Sequence, residues 1–172
     1  YISDGIERIA ESAFDGCADL REVRLPQTLR TIETCAFFRC THLRYIQFPN
    51  KVESIASHAF AGCSKLRTLV LPPKLTSVED SVFKTCENLT HVILGHSVRY
   101  IGINAFELCP NLSFVDIPSS HFRIDMGAFA FHNHLTIRTP YGSGVREYIR
   151  EDEGGDRIQL IETMRLYELL DD

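Results

Sequence analysis

The sequence lacks several features that would point to whole classes of function. None of its apolar runs approaches the length that crosses a lipid bilayer, so we expect no membrane insertion. Basic residues are in the minority, with 18 Lys and Arg against 23 Asp and Glu and a net charge of -5. Because phosphate binding requires a basic surface, we do not expect nucleic acid as a partner.

The chain also lacks the motifs of common enzymes. It contains no G-x-S-x-G nucleophile sequence, no phosphate-binding loop and no dinucleotide-binding glycine pattern. Acidic pairs such as Glu79-Asp80 fall in predicted outer turns. Because no nucleophile, base and orienting group come together, we predict a protein that is not an enzyme and that needs no cofactor.

The histidines do not predict a metal site either. His121, His132 and His134 form the one cluster in the sequence, and they lack the cysteines or second histidine pair of a zinc site. The other histidines occur at different points of the repeat described below and cannot converge. We therefore expect no metal.

The first residues do not resemble the start of a gene product. The chain has no initial Met and no signal peptide, and Tyr1 and Ile2 fall at the repeat position of Arg24 and Leu25. We therefore expect a mature or excised fragment of a longer repeat array. This leaves the cellular compartment open.

What the sequence does contain is one pattern that returns every 23 residues. An Ala-Phe pair, with Val82 once replacing the alanine, occupies residues 13–14, 36–37, 59–60, 82–83, 105–106 and 128–129. A fixed period of this length is typical of a solenoid, in which each repeat forms one coil that stacks on the next.

Two more columns accompany the Ala-Phe pairs. One is a column of cysteines: Cys17, Cys40, Cys63, Cys86 and Cys109. The other is a column of leucines: Leu20, Leu43, Leu66, Leu89, Leu112 and Leu135. Side chains of one column point the same way from coils about 4.8 Å apart, which does not suit a disulfide, so we predict buried, reduced thiols. Cys35 lies outside the column; it is either an exposed, reactive thiol or, as we favour, a position without a role.

Each coil divides into three segments. Leu20, Val23 and Leu25 give the pattern L-x-x-V-x-L of a short strand, which a proline or Gly95 ends. An inward-facing return segment follows, with Leu29 and Ile32 in the first full coil, and is a candidate second strand. We expect the Ala-Phe pair to begin a single turn of helix or 3₁₀ helix.

The full pattern L-x-x-V-x-L-P-x-x-L-x-x-I-x-x-x-A-F-x-x-C resembles the BspA-like, or Treponema-type, leucine-rich repeats over residues 2 to about 138. The resemblance implies a right-handed solenoid with a parallel sheet. It also implies a bacterial or protist protein, often secreted or surface-attached, and in some cases an adhesin toward host matrix proteins or other cells. Val82, His132 and Thr139-Pro140 depart from the family pattern.

The period is lost after Ile137. Val145, Tyr148 and Ile149 predict a short amphipathic helix that is capped by Ser143. Asp156 and Gln159 then predict a second helix through Leu170, with a strand at residues 158–161 as the alternative. We therefore divide the chain into a solenoid of residues 1–139 and a C-terminal cap with an acidic tail, residues 140–172. The fold class is an α/β leucine-rich-repeat solenoid with a C-terminal helical cap.

The apolar tail is expected to fold over the last two coils. Ile103, Met126, Leu108 and Phe131 replace polar residues of earlier coils and would be covered by it. Their exposure to water would refute this expectation. Docking of the tail on another protein is the alternative.

The outward positions of the first strand suggest a binding face. Counting by 23 gives the columns Glu22, Tyr45, Thr68, His91, Phe114, Ile137 and Arg24, Gln47, Val70, Ile93, Asp116, Thr139. Exposed apolar and aromatic residues typify interaction sites, although branched and aromatic residues also simply suit strands. The candidate partner-binding residues are Arg21, Arg44, Tyr45, Arg67, Val70, His91, Ile93, Phe114 and Asp116.

We therefore expect a non-enzymatic scaffold that binds a protein partner through this face, with adhesion or surface recognition as its role. The alternative is a structural subunit that docks through its tail and its open N-terminal coil. Glycan binding is a third interpretation, to which only Tyr45-Gln47 and Phe114-Asp116 point. The family resemblance favours a secreted or surface protein, and an intracellular one stays open.

Overall fold

The computed structural model describes residues 2–151 and 157–163. They form a β-solenoid of about seven turns, in which all strand pairs are parallel. Each coil has three sides, which we call the front sheet, the back sheet and the turn side. The L-x-x-V-x-L segments form the front sheet, the return segments form the back sheet, and the Ala-Phe pairs lie on the turn side.

The strands of both sheets are short. The front sheet contains β2 (Glu22–Val23), β4 (Tyr45–Ile46), β6 (Thr68–Val70), β8 (His91–Ile93), β10 (Phe114–Asp116), β12 (Leu135–Pro140) and β13 (Ile158–Thr163). Its hydrogen-bonded ladder is interrupted between β4 and β6, which divides it into a two-stranded and a five-stranded part. The back sheet contains β1 (Arg8–Ile9), β3 (Thr31–Ile32), β5 (Ser54–Ile55), β7 (Ser77–Val78), β9 (Tyr100–Ile101) and β11 (Arg123–Ile124). The predicted second strand of each coil is thus confirmed.

A tight turn separates the two strands of a coil. The amide of Leu29 donates to the carbonyl of Pro26 at 3.0 Å, and Leu75 donates to Pro72 in the same way. In the fourth coil Gly95 takes the proline's place and its carbonyl accepts from Val98 at 3.1 Å. Proline has no amide hydrogen for the ladder, so β2, β4, β6 and β10 end two or three residues before a proline.

The turn side is not helical, which corrects the expected helical turn. Residues just before and two after each Ala-Phe pair have positive φ, from Ser12 (55°) and Gly16 (68°) to Gly127 (68°) and Phe131 (63°). A left-handed residue cannot continue a right-handed helix. Instead, alternate amides bond to the next coil, as Phe37 does to the carbonyl of Ala59 at 2.8 Å.

The core consists of columns that run through the stack. The rings of Phe14, Phe37, Phe60, Phe83, Phe106 and Phe129 lie parallel, with centroids 5.0–5.6 Å apart and interplanar angles of 3–13°. All but Phe14 are fully buried. Each cysteine from Cys40 onward is buried and donates its thiol to the phenylalanine carbonyl of the preceding coil, at 3.2–3.5 Å.

The cysteine column holds free thiols, as predicted, with one correction. Cys17 is exposed rather than buried, because no preceding coil covers it in the described residues. Cys35 is half-buried. In the sixth coil His132 takes the cysteine's place and is buried, 4% exposed.

In the last coil the strand register of the front sheet shifts by one residue. Phe114 pairs with Thr136, Val115 with Ile137 and Asp116 with Arg138, so the offset is 22 residues instead of 23. Ile137 and Thr139 are therefore buried, and the expectation that they point outward is wrong. Thr136 and Arg138 take the outward positions.

The segment after the repeats adds one helix and one further strand. α1 (Val145–Glu151) lies against the last coil, where the hydroxyl of Tyr148 accepts from the amide of Phe129 at 3.2 Å. The predicted short helix is confirmed. The capping role of Ser143 is wrong, since its buried hydroxyl makes no hydrogen bond to another described residue.

β13 pairs with β12 along six residues, from Leu135 with Ile158 to Pro140 with Thr163. The strand interpretation of this segment is thus correct and a helix at residues 158–163 is wrong; the rest of the predicted helix lies outside the described residues. α1 is the one helix within 2–151 and 157–163, so the α/β class is corrected to a solenoid of strands and turns.

The expected cover over the last two coils is contradicted as far as residue 163, and the rest of the tail, residues 164–172, lies outside the described residues. Ile103 is 47% exposed, Leu108 40%, Met126 85% and Phe131 66%. The division of the chain at residue 139 stays a prediction, and β13 shows that the front sheet continues beyond it.

Candidate functional site

The front sheet presents two outward columns that differ along their length. In the observed register they read Glu22, Tyr45, Thr68, His91, Phe114, Thr136, Gln159 and Arg24, Gln47, Val70, Ile93, Asp116, Arg138, Ile161. Strand alternation turns these side chains away from the core, where Ile46, Leu69 and Val92 are buried. The front sheet thus presents the candidate residues as one surface.

Four apolar residues of these columns stand in solvent: Ile161 on β13, which is 42% exposed, and three that lie on β4, β6 and β8. Tyr45 is 57% exposed, Val70 63% and Ile93 43%. Val70 and Ile93 are register partners on β6 and β8, and Tyr45 lies on β4, the strand next to β6. We call these three residues the apolar patch. Because successive side chains of a strand point to opposite faces of the sheet, these three side chains point away from the core and can contact a partner.

A column of arginines borders the apolar patch. Arg21, Arg44 and Arg67 immediately precede β2, β4 and β6, and all three are exposed. The amide of Arg44 donates to the carbonyl of Arg21 at 3.1 Å, which places the first two in adjacent coils. We call this column the basic ladder. None of its guanidinium groups forms an ion pair with any residue in 2–151 or 157–163.

In the later coils, the side chains of the candidate face contact one another. Arg138 donates from Nε to Asp116 at 2.9 Å and forms a second bond to the other carboxylate oxygen. Its guanidinium lies 5.4 Å from the ring centre of Phe114, and His91 contacts the other side of that ring at 6.0 Å. Phe114 and Asp116 are therefore half-buried. The hydrogen bond to Asp116 raises the pKa of Arg138, which stays charged.

Several charged and polar side chains of the back sheet are paired with one another. Arg8 pairs with Glu33 at 3.0 Å and Arg30 with Glu53 at 2.9 Å. Tyr100 donates to Asp125 at 2.9 Å; burial, followed by this hydrogen bond, raises the tyrosine's pKa to about 12. These charged and polar groups already have partners within the chain.

A cleft lies at the C-terminal end, between β11 and α1. Its volume is about 630 Å³, and its lining includes Ile103, Phe122, Met126, Glu147 and Tyr148. The sequence analysis missed this site, although the change from polar to apolar residues at Ile103 and Met126 pointed to the same region. No nucleophile with a partner base is among the described residues that line it.

The four buried cysteines are poor nucleophiles. Burial is the main cause that raises the pKa of Cys40 and Cys109 to about 12, and it raises the pKa of Cys63 and Cys86 as well. No group of three metal-binding side chains occurs among the described residues. No helix in the described part of the chain has the length and apolar character to span a membrane.

The repeat decides the family. A model of the BspA type leucine-rich repeat region matches residues 7–136 with six copies. The chain belongs to the BspA-type leucine-rich repeat family. No curated protein matches it in sequence.

Solved structures of bacterial leucine-rich repeat proteins share the BspA-type fold. The Treponema pallidum leucine-rich repeat protein is 28% identical, with a TM-score of 0.67 over 87% of this chain and 78% of that one. A leucine-rich repeat protein from Eubacterium ventriosum is 21% identical, with a TM-score of 0.66 over 74% of this chain and 41% of that one. The pneumococcal vaccine antigen PcpA is 19% identical, with a TM-score of 0.74 over 94% of this chain and 40% of that one. The chain spans about two fifths of the latter two proteins.

Proposed function

We propose that this chain is a non-enzymatic scaffold that binds a partner protein through its front sheet. The observation that carries the proposal is the apolar patch, exposed beside a basic ladder that lacks ion-pair partners in the described residues. Exposed apolar groups with an aromatic member and arginines are typical of protein interfaces.

Family membership supports the same class of function. BspA-type leucine-rich repeat proteins are generally interaction or surface-adhesion scaffolds without enzymatic activity, and the family includes cell-surface proteins. We accordingly propose adhesion or surface recognition as the role, outside the cell or on its surface.

The proposed contact residues are the nine candidates, in two groups. Arg21, Arg44, Tyr45, Arg67, Val70 and Ile93 form the open part of the face. His91, Phe114 and Asp116 form its boundary, because Arg138 and the His91–Phe114 contact already cover part of their surface. A partner would bury the most exposed surface by contacting the open part.

The test uses peptides selected for binding to the chain from a displayed library of random twelve-residue sequences. We expect the double variant Tyr45→Ser, Val70→Ser to lose at least tenfold in affinity for the enriched peptides while its unfolding temperature stays within about 2 °C, because both side chains are exposed. The matched control is Tyr141→Ser, Met126→Ser, which removes two exposed side chains outside the front sheet. Equal affinity for both double variants would contradict the proposal.

Docking through the C-terminal tail and the open N-terminal coil is the alternative, and the apolar residues Leu166, Leu169 and Leu170 of the tail sequence favour it. A chain that ends at Thr163 tests it, because shorter chains would remove β13 and uncover β12. Loss of peptide binding on this truncation, with the circular dichroism unchanged, would favour the alternative.

A further inference from the structure

We propose that the partner segment is an acidic polypeptide, which lies across the first three coils with its carboxylates on the basic ladder and an apolar side chain on the apolar patch. This inference rests on the proposed function and adds the chemistry of the ligand. It follows from how the charges of the chain are distributed.

Several basic side chains outside the front sheet form ion pairs within the chain. Lys74 shares Glu53 with Arg30, Lys84 pairs with Glu107 and Arg123 pairs with Asp125. The basic ladder has no such carboxylates, and exposed Lys65, two residues before Arg67, has none among the described residues either. A protein with a net charge of -5 thus keeps a local cluster of uncompensated positive charge.

Acidic residues are absent from the outward positions of the second and third coils. These positions hold Arg44, Tyr45 and Gln47 on one coil and Arg67, Thr68 and Val70 on the next. Glu22, in the first coil, is the one carboxylate beside them, in register with Tyr45. Stacked guanidiniums about 5 Å apart repel one another, and a negatively charged partner removes that repulsion.

The spacing of the ladder fits an extended peptide. Three coils place Arg21 and Arg67 about 10 Å apart at the usual strand spacing of about 4.8 Å. Residues on one side of an extended chain recur about every 6.6 Å, so two carboxylates at alternate positions reach the ladder together. Arginine also binds carboxylates with two parallel hydrogen bonds, which orients the segment.

The apolar patch distinguishes a polypeptide from a sulfated glycan. Val70 and Ile93 present branched aliphatic surface that sulfate and hydroxyl groups cannot cover favourably. An acidic peptide with aliphatic or aromatic residues matches both features at once. The observations therefore favour the polypeptide.

The experiment examines the same selected peptides and adds two charge variants. We expect the enriched sequences to carry a net charge of -2 or below and to contain aromatic or aliphatic residues. We expect Arg44→Glu, Arg67→Glu to bind them at least 30-fold more weakly. Lys51→Glu, Lys74→Glu, a matched double reversal outside the front sheet, should change affinity less than threefold. Binding to the wild type should weaken as salt rises from 50 to 300 mM, since salt screens exposed charges.

Each of the other outcomes would contradict a specific part of the proposal. Neutral or basic enriched peptides, or equal binding by both charge variants, would contradict the acidic ligand. If those peptides still depend on Tyr45 and Val70, the front sheet keeps its proposed function. If peptide binding depends on neither the apolar patch nor the basic ladder, or if no peptide is enriched, both proposals fail. Retention on heparin above 300 mM salt that Arg44→Glu, Arg67→Glu abolishes would assign the ladder to a sulfated glycan instead.

Discussion

Replacing Phe60 by alanine removes a ring from the middle of the stacked phenylalanine column. Phe60 is fully buried; its ring lies 5.0 Å from that of Phe37, 5.6 Å from Phe83 and 5.6 Å from Phe48, which it meets edge-on. A buried Phe→Ala substitution costs about 3–5 kcal/mol, and three aromatic contacts place this one near the upper end. That is a large part of the about 5–15 kcal/mol that stabilises a typical domain.

The same substitution at the end of the column should cost less. Phe14 is half-buried and stacks on Phe37 alone, at 5.0 Å. We expect Phe14→Ala to cost about 1–2 kcal/mol, because less ring area leaves water and one contact is lost. Phe131→Ala, at an exposed phenylalanine, is the matched control and should change stability by less than about 0.5 kcal/mol.

Urea unfolding followed by far-ultraviolet circular dichroism measures the three variants, since the chain contains no tryptophan for fluorescence. Stability in a solenoid comes from contacts between neighbouring coils, so Phe60→Ala should also broaden the transition by separating the two halves of the stack. Equal losses for Phe60→Ala and Phe14→Ala would refute the account of a stack in which each coil is stabilised by both neighbours.

Three further predictions follow from individual contacts. At pH 8 a thiol reagent should modify Cys17 quickly and Cys35 more slowly, because burial and neighbouring carboxylates raise the pKa of Cys35. The four buried thiols should react only in denaturant, and fast reaction of all six thiols would contradict the buried column. Gly95→Ala should cost about 1–3 kcal/mol in thermal unfolding, since the added carbon would lie 2.6 Å from a backbone oxygen of the preceding coil; an unchanged unfolding temperature would contradict this. The hydrogen bond from Arg146 lowers the pKa of Glu162 below its ordinary 4.5, so the carboxylate stabilises the fold above that pH and loses this contribution as the pH falls. Between about pH 5 and 3 the unfolding temperature of the wild type should therefore fall more than that of Arg146→Gln, and parallel curves would contradict the assignment.

The repeat made the core predictable from sequence. A side chain that recurs every 23 residues meets its own counterpart in the next coil, so the phenylalanine and cysteine columns follow from spacing alone. The same logic located the front sheet and its outward positions as far as Asp116. It could not predict the exposure of Cys17, which depends on a neighbouring coil rather than on the repeat.

The turn side was mispredicted because its conformation is held by the stack. Gly16 and Gly62 occupy a left-handed position and were the available indication of it. Thr85, Leu108 and Phe131 adopt the same conformation in later coils, although none of them favours it locally. Hydrogen bonds to the next coil, such as Thr85 to the carbonyl of Glu107 at 2.8 Å, compensate for the strain.

The C-terminal end was mispredicted for a different reason. Leu135 keeps the period of the leucine column, so the one-residue shift at Thr136 is invisible in the spacing. Beyond it, Leu135 pairs with Ile158, which restores an offset of 23 residues across α1. The strand was hard to recognise because Ile161, on the outward face, adds an apolar residue that breaks the alternation.

That shift gives the two ends of the front sheet different surfaces. By turning Arg138 outward beside Asp116, it creates the ion pair and the guanidinium contact that cover Phe114. With the 23-residue offset, Thr139 would stand in that position and neither contact could form. The exposed side chains of the late coils therefore contact one another, whereas the unpaired arginines and the apolar patch lie in the early coils. A partner that binds the front sheet should accordingly contact Arg44, Tyr45 and Val70 rather than Phe114.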